Sequence, residues 1–213
     1  RVQIDILASW SLDEHSRNHR YRLHPFIKRF AKEKLSKRNY NRMIKLSLDF
    51  YILLLDKAKY KKNYYFTIRT DSKNISSLFR EAYTIGYYHG IELIWRNFLN
   101  CLWNTGSWNE MNNLAKLTYR SLDVQGDIKG KILCCIEVFG WLYYWQGKIK
   151  LAELYTLEAL KLSQEIKDEY LYYYAKQRLG RVLQGKKEFK TCQELFKESY
   201  KYFVSKNNFS RAG

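Results

Sequence analysis

With 213 residues, 46% of them hydrophobic, the chain has room for a substantial core and too much apolar content for disorder. One proline and ten glycines exclude collagen-like and loop-rich classes and leave long helices easy to build. The formal charge of +17 points to a polyanion or an acidic partner, and it is concentrated early, where residues 1–70 carry 17 Lys and Arg against 6 Asp and Glu.

Residues 1–12 hold Ile4, Ile6, Leu7 and Trp10, a short apolar segment that suits the end of a helix. Asp13 to Arg20 is polar and reads as a turn. Tyr21-Arg22-Leu23-His24 alternates, which predicts a short strand. Pro25 suits the first position of a helix with Phe26, Ile27, Phe30 and Ala31 on its apolar face and Lys28, Arg29, Lys32 and Lys34 on the other. From Tyr40 to Tyr60, Ile44, Leu48, Tyr51, Leu55 and Ala58 recur at helical spacing. Lys59 to Asp71 reads as a loop. Asp71 or Ser72 then caps a helix with Ile75, Leu78, Phe79 and Ala82 inside, and Gly86 and Gly90 flank its end. From Ile91 a paired-helix pattern runs to Phe203.

That pattern is an echo forty residues apart, Phe139-Gly140-Trp141-Leu142-Tyr143 and then Leu179-Gly180-Arg181-Val182-Leu183. Twelve residues past each glycine stands a small residue, Ala152 or Cys192, and seven further on another, Ala159 or Ser199. Small residues on facing helices let two backbones approach, and a fixed period of such hairpins predicts an α-solenoid. A weaker copy comes first. Gly106 lies 41 residues before Gly147, both in turns, and Trp95, Phe98 and Leu102 take the packing places of Ile136, Phe139 and Tyr143. Met111 replaces the small residue there. In the last copy Lys187 replaces the turn glycine, so that turn either avoids a left-handed conformation or carries a cost of about 1 kcal/mol.

Helical phase selects a candidate binding face. If Phe139, Gly140 and Tyr143 pack inside a hairpin, Cys134, Glu137, Trp141 and Tyr144 point to the other side, toward a ligand groove. The same phase gives Tyr174, Gln177, Arg181 and Gln184 in the last copy, and Leu93, Arg96, Asn100 and Trp103 in the first. Trp, Tyr and Arg are favoured binding anchors, though the same side chains also suit packing between repeats.

Catalytic signals are missing. Gly126-Asp127-Ile128-Lys129-Gly130-Lys131-Ile132 mimics a phosphate-binding loop, but its glycines are one residue too close and Ile132 offers no hydroxyl for Mg²⁺. It reads as an inter-repeat loop. Asp168-Glu169 reads as a helix start. His15, His19, His24 and His89 have no metal spacing, and Cys101, Cys134, Cys135 and Cys192 form no CxxC pair, which suits buried, reduced thiols and a cytoplasmic setting. The longest apolar stretch, Ile132 to Trp145, contains Glu137 and is too short to span a bilayer. The chain is therefore expected to be neither an enzyme nor a membrane protein and to hold no metal.

The glycine, the small residue twelve on and the next seven on resemble the tetratricopeptide repeat in a long, 40-residue variant covering about residues 91–205. Tyr21-Arg22-Leu23-His24-Pro25-Phe26-Ile27-Lys28-Arg29-Phe30-Ala31 looks like the end of the winged-helix domain of NB-ARC-type STAND ATPases. In that family a hydrophobic-His-(Asp or Pro) motif precedes a helix, and the histidine contacts the β-phosphate of bound ADP. The resemblance implies that role for His24 in an intact parent, with ADP or ATP held by an upstream NTPase domain and no cofactor in this portion. It implies an all-α chain: a winged-helix remnant over 1–38, linker helices over 39–90, and a right-handed superhelical tetratricopeptide-like solenoid of about three repeats over 91–213. The implied function is a non-catalytic sensor that binds a protein or other ligand. The alternative is a basic helical nucleic-acid-binding protein using Arg17, Arg20, Arg22, Lys28, Arg29, Lys32, Lys37 and Arg38. Phosphate attraction by Arg20, Arg22, Lys28, Arg29 and Lys32 is expected to be non-specific.

Overall fold

The structure is a computed structural model that describes residues 13–16, 20–23, 29–30, 33–58 and 62–212. The chain divides into two compact units, residues 1–46 and 47–213. In the first, Asp13–Ser16 (β1) and Arg20–Leu23 (β2) pair antiparallel, with Asp13 opposite Leu23 and Ser16 opposite Arg20. β2 matches the expected strand. β1 corrects the expected turn from Asp13 to Arg20: Asp13-Glu14-His15-Ser16 has poor strand propensity, and pairing with β2 overrides it. Helical backbone appears at 29–30 and 33–34, but Phe30, expected on an apolar face, is exposed. Ser36 caps the helix Lys37–Ala58 (α1), its hydroxyl accepting from the Asn39 N–H at 3.3 Å.

The second unit continues α1, with Leu48 and Leu55 buried. Lys62–Thr70 (α2) corrects the expected loop. Its Tyr64-Tyr65-Phe66 run favours strand by propensity, yet Ile68 is fully buried on the helix, and burial outweighs local preference. Ser72–Thr84 (α3) buries Ile75, Phe79 and Ala82 as the spacing predicts. Tyr88–Asn104 (α4) follows, starting three residues before the expected pattern. It includes Gly90, where an added Cβ would meet Leu48 of α1 at 2.9 Å.

Three hairpins make up the rest. Trp108–Val124 (α5) pairs with α4. Ile128–Cys134 (α6) runs through a π-turn at Cys135–Phe139 into Gly140–Trp145 (α7), and Ile149–Glu165 (α8) returns. Glu169–Gly185 (α9) pairs with Phe189–Ser205 (α10), and Phe209–Ala212 (α11) begins another turn of helix. The segment resembling a phosphate-binding loop is only partly loop: Gly126 and Asp127 turn, Asp127 caps α6 by accepting from the Gly130 N–H at 2.8 Å, and Ile128 onward is helical. Asp168 caps α9 in the same way, accepting from the Leu171 N–H at 3.1 Å.

Each turn from Gly86 onward contains one left-handed residue. Gly86, Gly106, Gly126 and Gly147 lie at φ 73°, 69°, 68° and 69°, and Lys167, Lys187 and Asn207 at 53°, 67° and 55°. The same two hydrogen bonds close each helix: at Gly106 its own N–H donates to Trp103 O at 3.0 Å, and the Ser107 N–H donates to Leu102 O at 3.0 Å. Lys187 thus takes the left-handed form rather than avoiding it.

The echo positions meet where helices cross. Ala152, Ala159, Cys192 and Ser199 are all buried. An added Cβ on Gly140 would meet Thr156 of α8 and Arg178 of α9 at 3.1 Å, and one on Gly180 would meet the Phe196 ring of α10 at 2.8 Å. Trp95, Phe98 and Leu102 are buried in the first hairpin as Ile136, Phe139 and Tyr143 are in the second. Phe139 stacks on Tyr155 with ring centres 4.2 Å apart. All four cysteines are buried. The unit is an all-α solenoid of stacked hairpins. Among the described residues no helix is long and apolar enough to cross a membrane, and no His, Cys, Asp and Glu cluster could hold a metal ion.

Lys187 is exposed and left-handed, so glycine at that position relieves strain without touching the core. Lys187→Gly is expected to raise unfolding free energy by up to about 1 kcal/mol in urea titration. A loss of stability would show that the lysine side chain contributes more than its backbone costs.

Candidate ligand-binding groove

The first helices of successive hairpins, α4, then α6 with its π-turn and α7, then α9, stack side by side, and α11 comes after α9. Their shared face gathers charge around one acid. Glu137, on the π-turn, has one carboxylate oxygen 3.6 Å from Arg96 Nε of α4 and the other 3.9 Å from an Arg211 terminal nitrogen of α11. Both separations are too long for direct hydrogen bonds, so Glu137 attracts both arginines without being locked to either.

Arg178 of α9 lies next to this group. Its guanidinium stands 4.0 Å from the centre of the Trp141 ring, an electrostatically favourable stack. Burial pushes its pKa below the ordinary arginine value, against an upward pull from Tyr174. Its Nε is buried with no hydrogen-bond partner among the described residues. Arg211 repeats the arrangement, its guanidinium 3.9 Å from the Tyr174 ring, while the Gln177 side-chain amide donates to Arg211 O at 2.8 Å.

The π-turn sets which residues reach this face. Gly140 N–H donates to Cys135 O, a five-residue span instead of four. Gly126 and Gly147 are 21 residues apart, whereas the other successive left-handed residues are 20 apart. The extra residue rotates the helix on its N-terminal side by about 100° relative to the helix on its C-terminal side. Cys134, which uniform helical phase places toward the groove, is therefore fully buried, its Sγ 3.9 Å from Ala115 O of α5.

The other candidate residues are placed unevenly. Arg96, Glu137, Trp141, Tyr174 and Gln177 come together. Tyr174 is 4% exposed and forms the floor beneath Arg211 rather than an open contact surface. Tyr144 is half-buried and stacks on Trp141 at 6.0 Å. Trp103 stacks on Trp108 at 5.6 Å, and Asn100 and Gln184 are exposed on α4 and α9. Arg181 is exposed, but its guanidinium lies over Phe196 of its hairpin partner at 5.5 Å. Arg178 and Arg211 escape the sequence reading. Arg178 is one position beyond the phase chosen from Glu137, and Arg211 belongs to a helix whose start is marked only by Asn207 in place of a glycine.

Of the early basic patch, Arg20, Arg22 and Arg29 fall among the described residues. Arg20 and Arg22 sit on β2, and Arg29 is exposed and paired with Glu33 at 3.0 Å. His24, Lys28 and Lys32 lie outside the described residues.

Neither a family profile nor a curated protein matches the sequence. Among solved structures the chain is similar to a signal transduction ATPase with numerous domains (STAND) from Pyrococcus horikoshii, a protein with a tetratricopeptide repeat sensor. The TM-score is 0.60 at 18% identity over 86% of this chain. The match covers 27% of that chain, so this chain spans about a quarter of its length. The likeness establishes the fold as a tetratricopeptide-type helical solenoid.

Arg178 gives a stability test. A desolvated charge with an unsatisfied nitrogen is unfavourable, and an apolar side chain of similar length removes that cost. Arg178→Met keeps the stem that packs against Gly140 and is expected to match or exceed the parent in urea unfolding. A clear loss of stability would make Arg178 a structural residue and remove it from the groove.

Proposed function

We propose that this chain is the sensor portion of a larger STAND-type signalling ATPase and that it binds a protein partner on the concave side of its tetratricopeptide-like repeats. The observation that carries the reading is the cluster on the shared face of the first helices. Arg96, Arg178 and Arg211 surround the single acid Glu137 beside Trp141, leaving an excess of positive charge. An aromatic and arginine surface of that kind suits a partner presenting acidic side chains. The chain acts by binding rather than catalysis. Nucleotide chemistry, with ADP or ATP as cofactor, belongs to an upstream NTPase domain, and the cytoplasm is the expected location.

In this reading residues 1–38 end a winged helix of NB-ARC type and His24 touches the β-phosphate of ADP in the parent. Residues 39–90 relay the state of the repeats, which occupy 91–213. A charged ligand that reorganises the Glu137 cluster favours one arrangement of the stacked helices over another, and that difference in affinity is what a sensor transmits.

The test uses the full-length parent. A phosphate-binding loop, GxxxxGK[ST], is expected upstream in the same reading frame. His24→Ala is expected to speed release of a fluorescent ADP analogue, and unchanged release would remove the winged-helix assignment. Trp141→Ala is expected to abolish partner-stimulated ATP turnover while leaving the basal rate intact.

The second reading, a nucleic-acid-binding protein, rests on the excess of Lys and Arg in residues 1–70. Filter binding at about 150 mM salt separates the two, because attraction to phosphates alone is heavily screened there. Nanomolar, sequence-dependent retention under those conditions would favour the nucleic-acid reading. Retention that vanishes supports the sensor.

A further inference from the structure

The turn joining α4 to α5 and the turn joining α7 to α8 lie on the same edge of the solenoid and flank a shallow, open cleft of about 530 Å³. Gly106, Trp108, Asn109, Trp145, Gln146 and Lys148 line it. The Glu137 cluster contributes no residue to it.

Two large aromatic faces are available. Trp108 is 37% exposed and Trp145 is 54% exposed. Each is braced from behind: Trp103 stacks on Trp108 with ring centres 5.6 Å apart, and Trp141 meets Trp145 edge-on at 5.6 Å. Braced rings lose little side-chain freedom when something stacks on them.

The polar groups ask for a particular complement. Gln146 Oε1 is buried and accepts no hydrogen bond among the described residues. An unpaired buried acceptor is unfavourable, and the broad terminal torsion of glutamine lets it turn toward a donor entering the cleft. Lys148 is exposed and forms no ion pair among the described residues. A ligand that suits the whole cleft has a flat unsaturated ring, an N–H donor on that ring and an anionic group a short distance away. A nucleotide with an amino-bearing base meets all three requirements.

We propose that this cleft binds a nucleotide, with the base against Trp108 and Trp145, its amino group donating to Gln146 and its phosphate paired with Lys148. The site shares no lining residue with the groove, although Trp141 of the groove braces Trp145, and the proposal does not depend on the sensor reading. A free mononucleotide and an unstacked base of single-stranded nucleic acid offer the same chemistry.

Isothermal titration of the 213-residue chain with AMP, adenosine, ribose 5-phosphate and a short single-stranded adenine oligonucleotide tests it. AMP is expected to bind and ribose 5-phosphate to give no heat. Trp145→Ala is expected to weaken AMP at least about tenfold, in line with the usual effect of losing a stacking partner. Lys148→Ala should weaken AMP while leaving adenosine unchanged, and Gln146→Ala should weaken both. Lys161→Ala, outside the cleft, should change nothing. These side chains are at the turns, and an unchanged far-ultraviolet circular dichroism spectrum confirms that the variants fold. If AMP and oligonucleotide bind alike per base, the natural ligand is a free nucleotide; much tighter oligonucleotide binding assigns it to a single strand. No heat with AMP at concentrations up to about 10 mM, where even a millimolar site would be largely filled, overturns the proposal. So does AMP binding that is indifferent to Trp145→Ala and Gln146→Ala.

Discussion

The left-handed residue that ends each helix sets the dimensions of the solenoid. Five of its helices, α4, α5, α8, α9 and α10, are 17 residues long, and a three-residue turn with one positive φ separates each from the next. At 1.5 Å per residue such helices are about 26 Å long. Equal lengths bring alternate turns to the same edge, Gly106, Gly147 and Lys187 on one and Gly126, Lys167 and Asn207 on the other. Glycine pays no steric cost in this conformation and lysine does. That Lys167 and Lys187 adopt it shows that hairpin packing, rather than local preference, places the turn.

Fixed ends explain the π-turn. The helix from Ile128 to Trp145 holds one residue more than its neighbours, while its two turns are pinned by the same hydrogen bonds as the rest. It cannot extend past the edge without breaking those bonds, so the surplus residue is absorbed inside, at Cys135–Phe139. The consequence falls on side chains. Cys134, Cys135 and Ile136 turn into the core, and Glu137 is left as the only acid of that helix, between Arg96 and Arg211. Widened helical turns of this kind often mark functional positions, and here the widening places the one carboxylate of an arginine-rich face.

Much of the fold was legible because repetition amplifies weak signals. The small residues at Gly140, Ala152, Ala159, Gly180, Cys192 and Ser199 recur at one spacing, and each stands at a close contact or buried position in the structure. The surplus residue was visible too, as the 41 residues between Gly106 and Gly147 against the 40 of the echo. Where in the helix it would be accommodated was not, since that depends on which backbone bonds yield. Single elements without a repeat were harder. α2 reads as loop because its aromatic run lacks a helical period, and β1 reads as turn because its residues are polar. Trp108 and Trp145, 37 residues apart, give no local sign that they share a cleft.

Groove and stability pull in different directions at Arg178. A guanidinium stacked on Trp141 gains from the ring face, but burial costs it hydration, and its unbonded Nε leaves part of that cost uncompensated. Glu137, the nearest acid, already lies between two other arginines. A folded chain has no need of a third cation there, and an apolar side chain would fill the same space at lower cost. The arrangement makes physical sense if the missing negative charge comes from outside: an acidic group entering beside Trp141 would meet Arg178 already oriented and partly desolvated, so that less of the cost of pairing falls on the binding step. The same excess of positive charge, spread over α4, α9 and α11, would draw such a partner toward the face before contact.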